Sequence, residues 1–283
     1  MKISWIGTGV MGKPMALHLA KAGYAVSVYN RHFDKAKALE PEVKAYHSIE
    51  SCVKDADIVF SIVGFPNDVK DVYLEVMKHV RPNTILVDMT TSSPTLAIEL
   101  YAMAKAQGLF MLDAPVTGGD IGAINATLSI MVGGDEDIFN RVLPLFRLMG
   151  KTITYMGKPG SGMHAKLANQ TVIAGNVMGV AEALVYAKDK GLDLERMLSV
   201  ITGGSANSWQ AQYNGMKMIK GDHQPGFYVK HFLKDLKLVL EEKKDLKLEV
   251  VETVAKAYQM LSDQGYQDKG TQSIIDYYLK HLI

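Results

Sequence analysis

Near its N-terminus the chain reads Lys2-Ile3-Ser4-Trp5-Ile6, then Gly7-Thr8-Gly9-Val10-Met11-Gly12. A short apolar strand therefore enters a glycine-rich turn. A helical pattern follows through Met15, Leu17, His18, Leu19 and Ala22, stops at Gly23, and gives way to a second apolar run, Ala25-Val26-Ser27-Val28-Tyr29. Three glycines at this spacing, between a strand and a helix, form a dinucleotide-binding turn. Gly7 makes the tight bend, Gly9 lets the backbone approach a pyrophosphate, and Gly12 lets the helix pack closely on the strand. The helix start then presents free N–H groups and a partial positive charge to the phosphates, so Thr8, Val10 and Met11 are cofactor-binding candidates together with the glycines.

The pattern that opens with this turn repeats. Strands are expected at 2–6, 25–29, 58–63, 84–87, 109–112 and 128–132, with helices at 11–22, 34–39, 48–54, 68–79, 95–107 and 136–149. Alternation of this kind predicts an α/β Rossmann domain with a doubly wound, mostly parallel sheet. Several of the strands are continuous apolar runs, as sheets covered on both faces require. After Lys158-Pro159-Gly160-Ser161-Gly162 helical periodicity takes over, which predicts an all-α C-terminal domain. The expected division is 1–162 and 163–283. The first helix of the second domain, about 163–190, is apolar nearly all round and rich in small residues. It reads as buried between domains or subunits, so a homodimer or homotetramer is expected.

Charge and composition narrow the partners. Lys and Arg number 31 against 30 Asp and Glu, with no long single-sign run, so neither nucleic acid nor an anionic membrane is the expected partner. The stretch 172–187 is too short and too polar to span a bilayer. The single cysteine, Cys52, has no partner for a disulfide or for nucleophilic chemistry. With no leader ahead of the first strand, this points to a cytoplasmic protein. No His/Cys/Asp/Glu spacing suggests a metal site, and the sixteen methionines read as core filler.

Three further stretches carry chemistry. The second strand ends in Tyr29-Asn30-Arg31-His32. An acidic residue there would bind a ribose 2′-hydroxyl, whereas Arg31 beside Asn30 can grip a 2′-phosphate. NADP is therefore favoured, with NAD possible and a plain surface arginine the alternative. Leu112-Asp113-Ala114-Pro115-Val116-Thr117-Gly118-Gly119 lies at the carboxyl end of a strand. Thr117 offers a hydroxyl, and Gly118 and Gly119 offer open N–H groups suited to a carboxylate, though the stretch is also compatible with an ordinary turn. In Lys166-Leu167-Ala168-Asn169-Gln170, three polar residues share one helix face. A lysine desolvated there can act as general acid or base; an exposed lysine at a helix start is the competing reading on spacing alone. His164, two residues earlier, faces another direction.

Four blocks in order (7–23, 113–119, 160–170 and Lys234-Asp235-Leu236) resemble the β-hydroxyacid dehydrogenase family, which includes 3-hydroxyisobutyrate dehydrogenase, tartronate semialdehyde reductase and the glyoxylate/succinic semialdehyde reductases. The blocks cover nearly the full length. Thr117 stands where the family normally has Ser. The Lys-Leu-Ala-Asn-Gln run is most similar to the tartronate semialdehyde reductases, whereas Asn30-Arg31 is more similar to the NADPH-using semialdehyde reductases. The resemblance implies a small carboxylate-bearing substrate in a cleft between the two domains. It makes Lys166 the catalytic lysine and Thr117, Gly118, Gly119 and Asn169 or Gln170 the substrate-binding residues. It also puts Lys234 over the nicotinamide and makes Val63 and Thr91 cofactor contacts.

The resulting expectation is an NADP-preferring oxidoreductase that interconverts a small β-hydroxyacid and its semialdehyde, with Lys166 moving the proton. The alternatives are less well matched. A 6-phosphogluconate dehydrogenase-like enzyme resembles this fold but has a Glu where Ile173 stands and a longer helical domain. An imine reductase-like enzyme typically replaces the lysine. A non-catalytic dinucleotide sensor could drop Lys166 or the Thr-Gly-Gly turn, and both are present.

Overall fold

The computed structural model describes residues 1–281. The chain divides into two compact units, Met1–Lys166 and Leu167–Ile283, so the division falls four residues beyond the one read from the sequence. The first unit contains β1 (Lys2–Ile6), α1 (Gly12–Lys21), β2 (Ala25–Tyr29), α2 (Phe33–Lys37), β3 (Lys44–Tyr46), α3 (Ile49–Val53), β4 (Ile58–Ser61), α4 (Pro66–His79) and β5 (Ile85–Asp88). It continues with α5 (Pro94–Ala106), β6 (Phe110–Asp113), β7 (Val116–Thr117), α6 (Gly119–Ile124), β8 (Leu128–Gly133), α7 (Glu136–Phe146) and β9 (Gly150–Gly157).

These strands form one sheet in the order β3-β2-β1-β4-β5-β6-β8-β7, with β9 paired to β8. From β3 through β6 every pairing is parallel. β8 runs antiparallel to β6 and β7, and β9 is parallel to β8. The order reverses between β1 and β4, and ligands of doubly wound sheets bind at the carboxyl ends of the strands flanking such a reversal. Side chains alternate across the sheet. Trp5, Phe60, Val87 and Leu112 join the core on one face, and Val59, Leu86, Met111 and Tyr73 join the core on the other. Each fully buried large apolar side chain contributes about 1.5–3 kcal/mol by leaving water.

Several elements differ from the sequence reading. β3 and β7 are very short strands, and α6 is a six-residue helix inside a glycine-rich stretch. β9 occupies 150–157, where the sequence reading placed no element. Its burial alternates along the strand, the mark of a sheet edge with one solvated face. β5 and β6 each end on an aspartate, Asp88 and Asp113, one residue later than expected, and the two pair across the sheet. Both are buried, because hydrogen bonds satisfy carboxylates that read in sequence as the start of a loop.

The long helix α8 (Ser161–Asp189) starts in the first unit and runs into the second. There it is followed by α9 (Leu194–Gly203), α10 (Trp209–Lys220), α11 (Val229–Glu242), α12 (Glu249–Leu261) and α13 (Ile275–His281), with a π-helical turn at Ser262–Tyr266 and a 3₁₀ turn at Thr271–Ile274. The core of this unit gathers Ala174, Val177, Ala181 and Leu184 of α8 with Phe232 and Leu236 of α11 and Val254 and Tyr258 of α12. α8 also leaves large apolar side chains exposed, Val172 at 62% and Tyr186 at 65%. Among the described residues no helix is long and apolar enough to cross a membrane.

Candidate active site

The glycine-rich turn leaves β1 at the point where the strand order reverses. Gly7 adopts φ 95°, which glycine alone takes without strain, and donates its N–H to the Tyr29 carbonyl at 2.9 Å. A side chain on Gly7 would strike the Ile62 carbonyl at the end of β4. At Gly12 it would strike the Gly7 carbonyl and approach the Trp5 indole nitrogen to 2.8 Å. That indole donates to the Gly7 carbonyl at 2.9 Å, so Trp5 props the turn from beneath. A Cβ on Gly9, in contrast, would meet nothing within 4 Å. The first turn of α1 carries no acidic residue. Two glycines fixed by packing, one open to approach, and a helix start without competing carboxylates fit a dinucleotide pyrophosphate.

At the end of β2, Asn30 is engaged at both ends of its amide. Nδ2 donates to Thr8 Oγ1 at 3.0 Å, and Oδ1 accepts from the His32 N–H at 2.9 Å. Asn30 thus ties the second strand's exit to the glycine turn. Arg31 projects outward with its side chain 78% exposed, and its Nη1 lies 3.6 Å from Asp68 Oδ1. Asp68 also accepts from the Phe65 N–H at 3.0 Å, which caps α4. Val10 is exposed and Met11 is half-buried. Val63, after β4, donates its N–H to Thr90 Oγ1 at 3.0 Å, and Thr91 follows directly, half-buried.

Thr117 ends β7 opposite Ser129 of β8 and is half-buried with Gly118 and Gly119. Gly118 has φ 131°, and a side chain there would also press on Leu128 Cδ2 at 3.2 Å. The turn therefore takes glycine at 118 both for its backbone angle and for the space beside Leu128.

The residue just ahead of this turn has a role that sequence reasoning missed. Asp113 Oδ1 accepts the Gly160 N–H and Oδ2 accepts the Met163 N–H, each at 2.8 Å. Asp113 is thereby the cap of α8, satisfying two of the donors that any helix start leaves open. Gly133 and Gly162 enclose the carboxylate so closely that a Cβ on either would come within 3.0 Å of it. Burial pushes the Asp113 carboxyl up to about 6, against the pull of the backbone N–H groups it accepts. The signal that could have found it is an acid closing an apolar run, Met111-Leu112-Asp113, which repeats Leu86-Val87-Asp88 one strand earlier.

Lys166 lies in the second turn of the helix so capped and is 6% exposed. His164 is exposed and points elsewhere on the helix. Asn169 and Gln170 follow Lys166 on the same face. Gln170 is fully buried: its Oε1 accepts from Asn169 Nδ2 at 3.0 Å, and its Nε2 donates to Asp235 Oδ2 at 2.7 Å. The other oxygen of Asp235 pairs with Lys234 Nζ at 3.0 Å. Asn169, Gln170, Asp235 and Lys234 therefore form one connected row within the second unit, and Asp235 is a second residue that spacing did not single out. Cys52 is buried with its thiol pushed up to about 12 by desolvation, which keeps it unreactive. Among the described residues no group of His, Cys, Asp and Glu could hold a metal ion.

The chain is similar to known proteins along nearly its whole length. Residues 2–157 match the family model described as the NAD binding domain of 6-phosphogluconate dehydrogenase, and residues 160–278 match that described as NAD-binding of NADP-dependent 3-hydroxyisobutyrate dehydrogenase. The chain is 44% identical over 281 residues to a probable 3-hydroxyisobutyrate dehydrogenase-like protein of Arabidopsis thaliana, covering 97% of this chain and 84% of that one. It is 38% identical over 256 residues to 2-hydroxy-3-oxopropionate reductase of Escherichia coli, covering 89% and 88%. Among solved structures, 3-hydroxyisobutyrate dehydrogenase of Mycobacterium tuberculosis with L-serine superposes with a TM-score of 0.88 at 31% identity, over 97% of this chain and 98% of that one.

Proposed function

The chain belongs to the β-hydroxyacid dehydrogenase family of NAD(P)-dependent oxidoreductases, and from that premise we propose that it interconverts a small β-hydroxyacid and its semialdehyde, of the 3-hydroxyisobutyrate, tartronate/glyoxylate or succinic semialdehyde type, with NADP(H) preferred. The observation that carries this reading is Lys166: an amine almost wholly out of solvent, one turn into a helix whose start is fixed by the buried Asp113 carboxylate.

A bound nicotinamide dinucleotide supplies or takes the hydride. In the reductive direction Lys166 hydrogen-bonds the aldehyde oxygen and gives a proton to the alkoxide that develops there; in oxidation it takes that proton back. The Thr117 hydroxyl and the N–H groups of Gly118 and Gly119 hold the substrate carboxylate, as a preorganised set of donors. Of the adjacent amides, half-buried Asn169 is assigned the substrate contact. Gln170, with both ends of its amide engaged, holds Asn169 and Asp235 in place. Asp235 in turn orients Lys234, which is assigned to the nicotinamide along with Val63 and Thr91. Gly7, Thr8, Gly9, Val10, Met11 and Gly12 receive the pyrophosphate. Asn30 sets the turn from which Arg31 reaches a 2′-phosphate; the exposed guanidinium supports that reach, and Asp68 is its competitor.

We further propose a cytoplasmic homo-oligomer, a reading supported by the exposed Val172, Tyr186 and Val200 on the helices of the second unit and by Leu192 between two of them. The test of the activity is oxidation of NADPH and of NADH against glyoxylate, succinic semialdehyde, tartronate semialdehyde and methylmalonate semialdehyde. Turnover of at least one with faster rates on NADPH is expected. Equal or better rates with NADH would remove the role given to Arg31, and inactivity on all four would remove the substrate class.

A further inference from the structure

Asp88 has no part in the chemistry above, yet it is a fully buried carboxylate at the carboxyl end of β5 with an organised set of donors. Its Oδ1 accepts the Thr90 N–H at 3.0 Å and lies 3.1 Å from Ser61 Oγ at the end of β4. Ser61 Oγ is also 2.8 Å from the hydroxyl of Tyr73, which α4 carries into the same core. A serine hydroxyl has one proton, so with that proton on the carboxylate it is Tyr73 that donates to Ser61. Thr90 closes the circuit: its hydroxyl donates to Asp88 and accepts the Val63 N–H at 3.0 Å. One carboxylate thus ties together the loop after β4, which carries Val63, and the loop after β5, which carries Thr91.

We propose that Asp88 is a positioning residue for the dinucleotide: acting through Thr90, it holds Val63 and Thr91 in the places from which they contact the cofactor. The inference rests on reading Val63 and Thr91 as cofactor contacts. An apolar residue at 88 would fill the core at lower cost, since burying a carboxylate beside another, Asp113, is unfavourable. What the carboxylate adds is acceptor capacity for the hydroxyls of Ser61 and Thr90 and the Thr90 N–H together, which a neutral amide cannot match because its nitrogen only donates. The groups that face it are Ser61 from β4, Tyr73 from α4, Thr90 beyond β5 and Asp113 from β6. Burial holds its carboxyl near 6, so its acceptor strength changes just below neutrality.

The experiment titrates NADPH into the full-length protein and into Asp88→Asn, Thr90→Val and Thr91→Ala, with melting temperature measured on each. At pH 7.5, Asp88→Asn and Thr90→Val are each expected to raise the NADPH Kd about tenfold, the effect of losing roughly one hydrogen bond's worth of order in the loops. Asp88→Asn should do so with no fall in melting temperature, because it also removes a buried charge; a residue needed only for the fold would lose stability and affinity together. At pH 5.5 the wild-type Kd should move toward that of Asp88→Asn, the cofactor's own titration being common to both. Wild-type affinity in both Asp88→Asn and Thr90→Val, with Thr91→Ala weakened, overturns the role of Asp88 alone. Wild-type affinity in Thr91→Ala as well overturns the assignment of these loops to the cofactor, and the role of Asp88 with it.

Discussion

The Asp113 carboxylate and the Met163 N–H lie 2.8 Å apart, joining the end of a sheet strand to the start of the helix that carries Lys166. Four residues beyond Asp113 in the chain is Thr117; three beyond Met163 is Lys166. A single side chain therefore fixes the turn proposed to bind substrate and the proposed proton donor relative to one another within the same unit. In Asp113→Asn one oxygen still accepts, but the amide nitrogen faces an N–H donor. The variant should lower kcat more than tenfold and leave the cofactor Kd within about threefold, at a stability loss of about 1–3 kcal/mol. Steady-state kinetics beside a cofactor titration checks this, and an unchanged kcat would separate the cap from the chemistry.

Lys166→Ala addresses the chemistry itself. Loss of a general acid costs about 10²–10⁴ in rate, so kcat should fall by at least about a hundredfold. Cofactor affinity, set by the glycine turn far along the chain, should hold. Near-normal turnover in this variant would end the assignment.

The three glycines of the opening turn are not equivalent. Gly12→Ala drives a methyl into the Gly7 carbonyl and the Trp5 indole, so it should destabilise the fold by about 1–3 kcal/mol as an overpacked site. Gly9→Ala meets nothing in the protein and should leave the melting temperature unchanged. Its methyl instead occupies the approach to the helix start, and the NADPH Kd should rise sharply. If Gly9→Ala bound NADPH as well as the parent, the pyrophosphate would not lie where the turn implies.

Much of this is legible in the sequence alone. The glycine turn, six of the strands and the long helix are local patterns, carried by residues within reach of one another in sequence. β3 and β9 were not legible because edge strands bury one face or little at all, and three residues of Lys-Ala-Tyr carry no period. The reach of Lys166 as a candidate came from the motif around it; its burial did not, since helix spacing alone leaves an exposed lysine equally acceptable. Asp113 and Asp235 were hidden for a different reason. Their partners lie 47, 50 and 65 residues away, and no property of an isolated aspartate says which N–H groups or amides the fold will deliver to it.

Gln170 and Asp235 make a buried pair whose loss is asymmetric. Gln170→Leu keeps the volume but strips Asp235 Oδ2 of its donor and Asn169 of its acceptor. A buried carboxylate left short of a partner costs about 1–3 kcal/mol or more, so the melting temperature should drop. The double variant Gln170→Leu with Asp235→Leu removes both polar ends and should recover part of that loss while remaining impaired in turnover, since Lys234 then loses its pairing with Asp235. Thermal melts of the single and double variants decide it: additive losses would show that the two side chains do not act as a pair.

The carboxyl pair Asp88 and Asp113 predicts an unusual pH dependence. Both are pushed up to about 6 by burial, from an ordinary value of 3.8. Between those values the folded chain keeps protons that the unfolded chain has released. Through these two groups, stability therefore rises as the pH falls from about 7 toward 4, the reverse of the usual carboxylate contribution. Each contributes at most about 3 kcal/mol, and less once protonation of one relieves the other. His231, held below its ordinary 6.5 by burial and by Lys234 and Lys230, acts in the opposite sense within this range, as one group against two. Glu40 and Glu75, held low by neighbouring Lys37 and Lys78, also oppose, but on a range centred below 4.5. The melting temperature should accordingly increase between pH 7 and pH 5, and the increase should be smaller in Asp88→Asn, which has lost one of the two titrating groups. The same rise in parent and variant would mean that Asp88 does not hold its proton in this range.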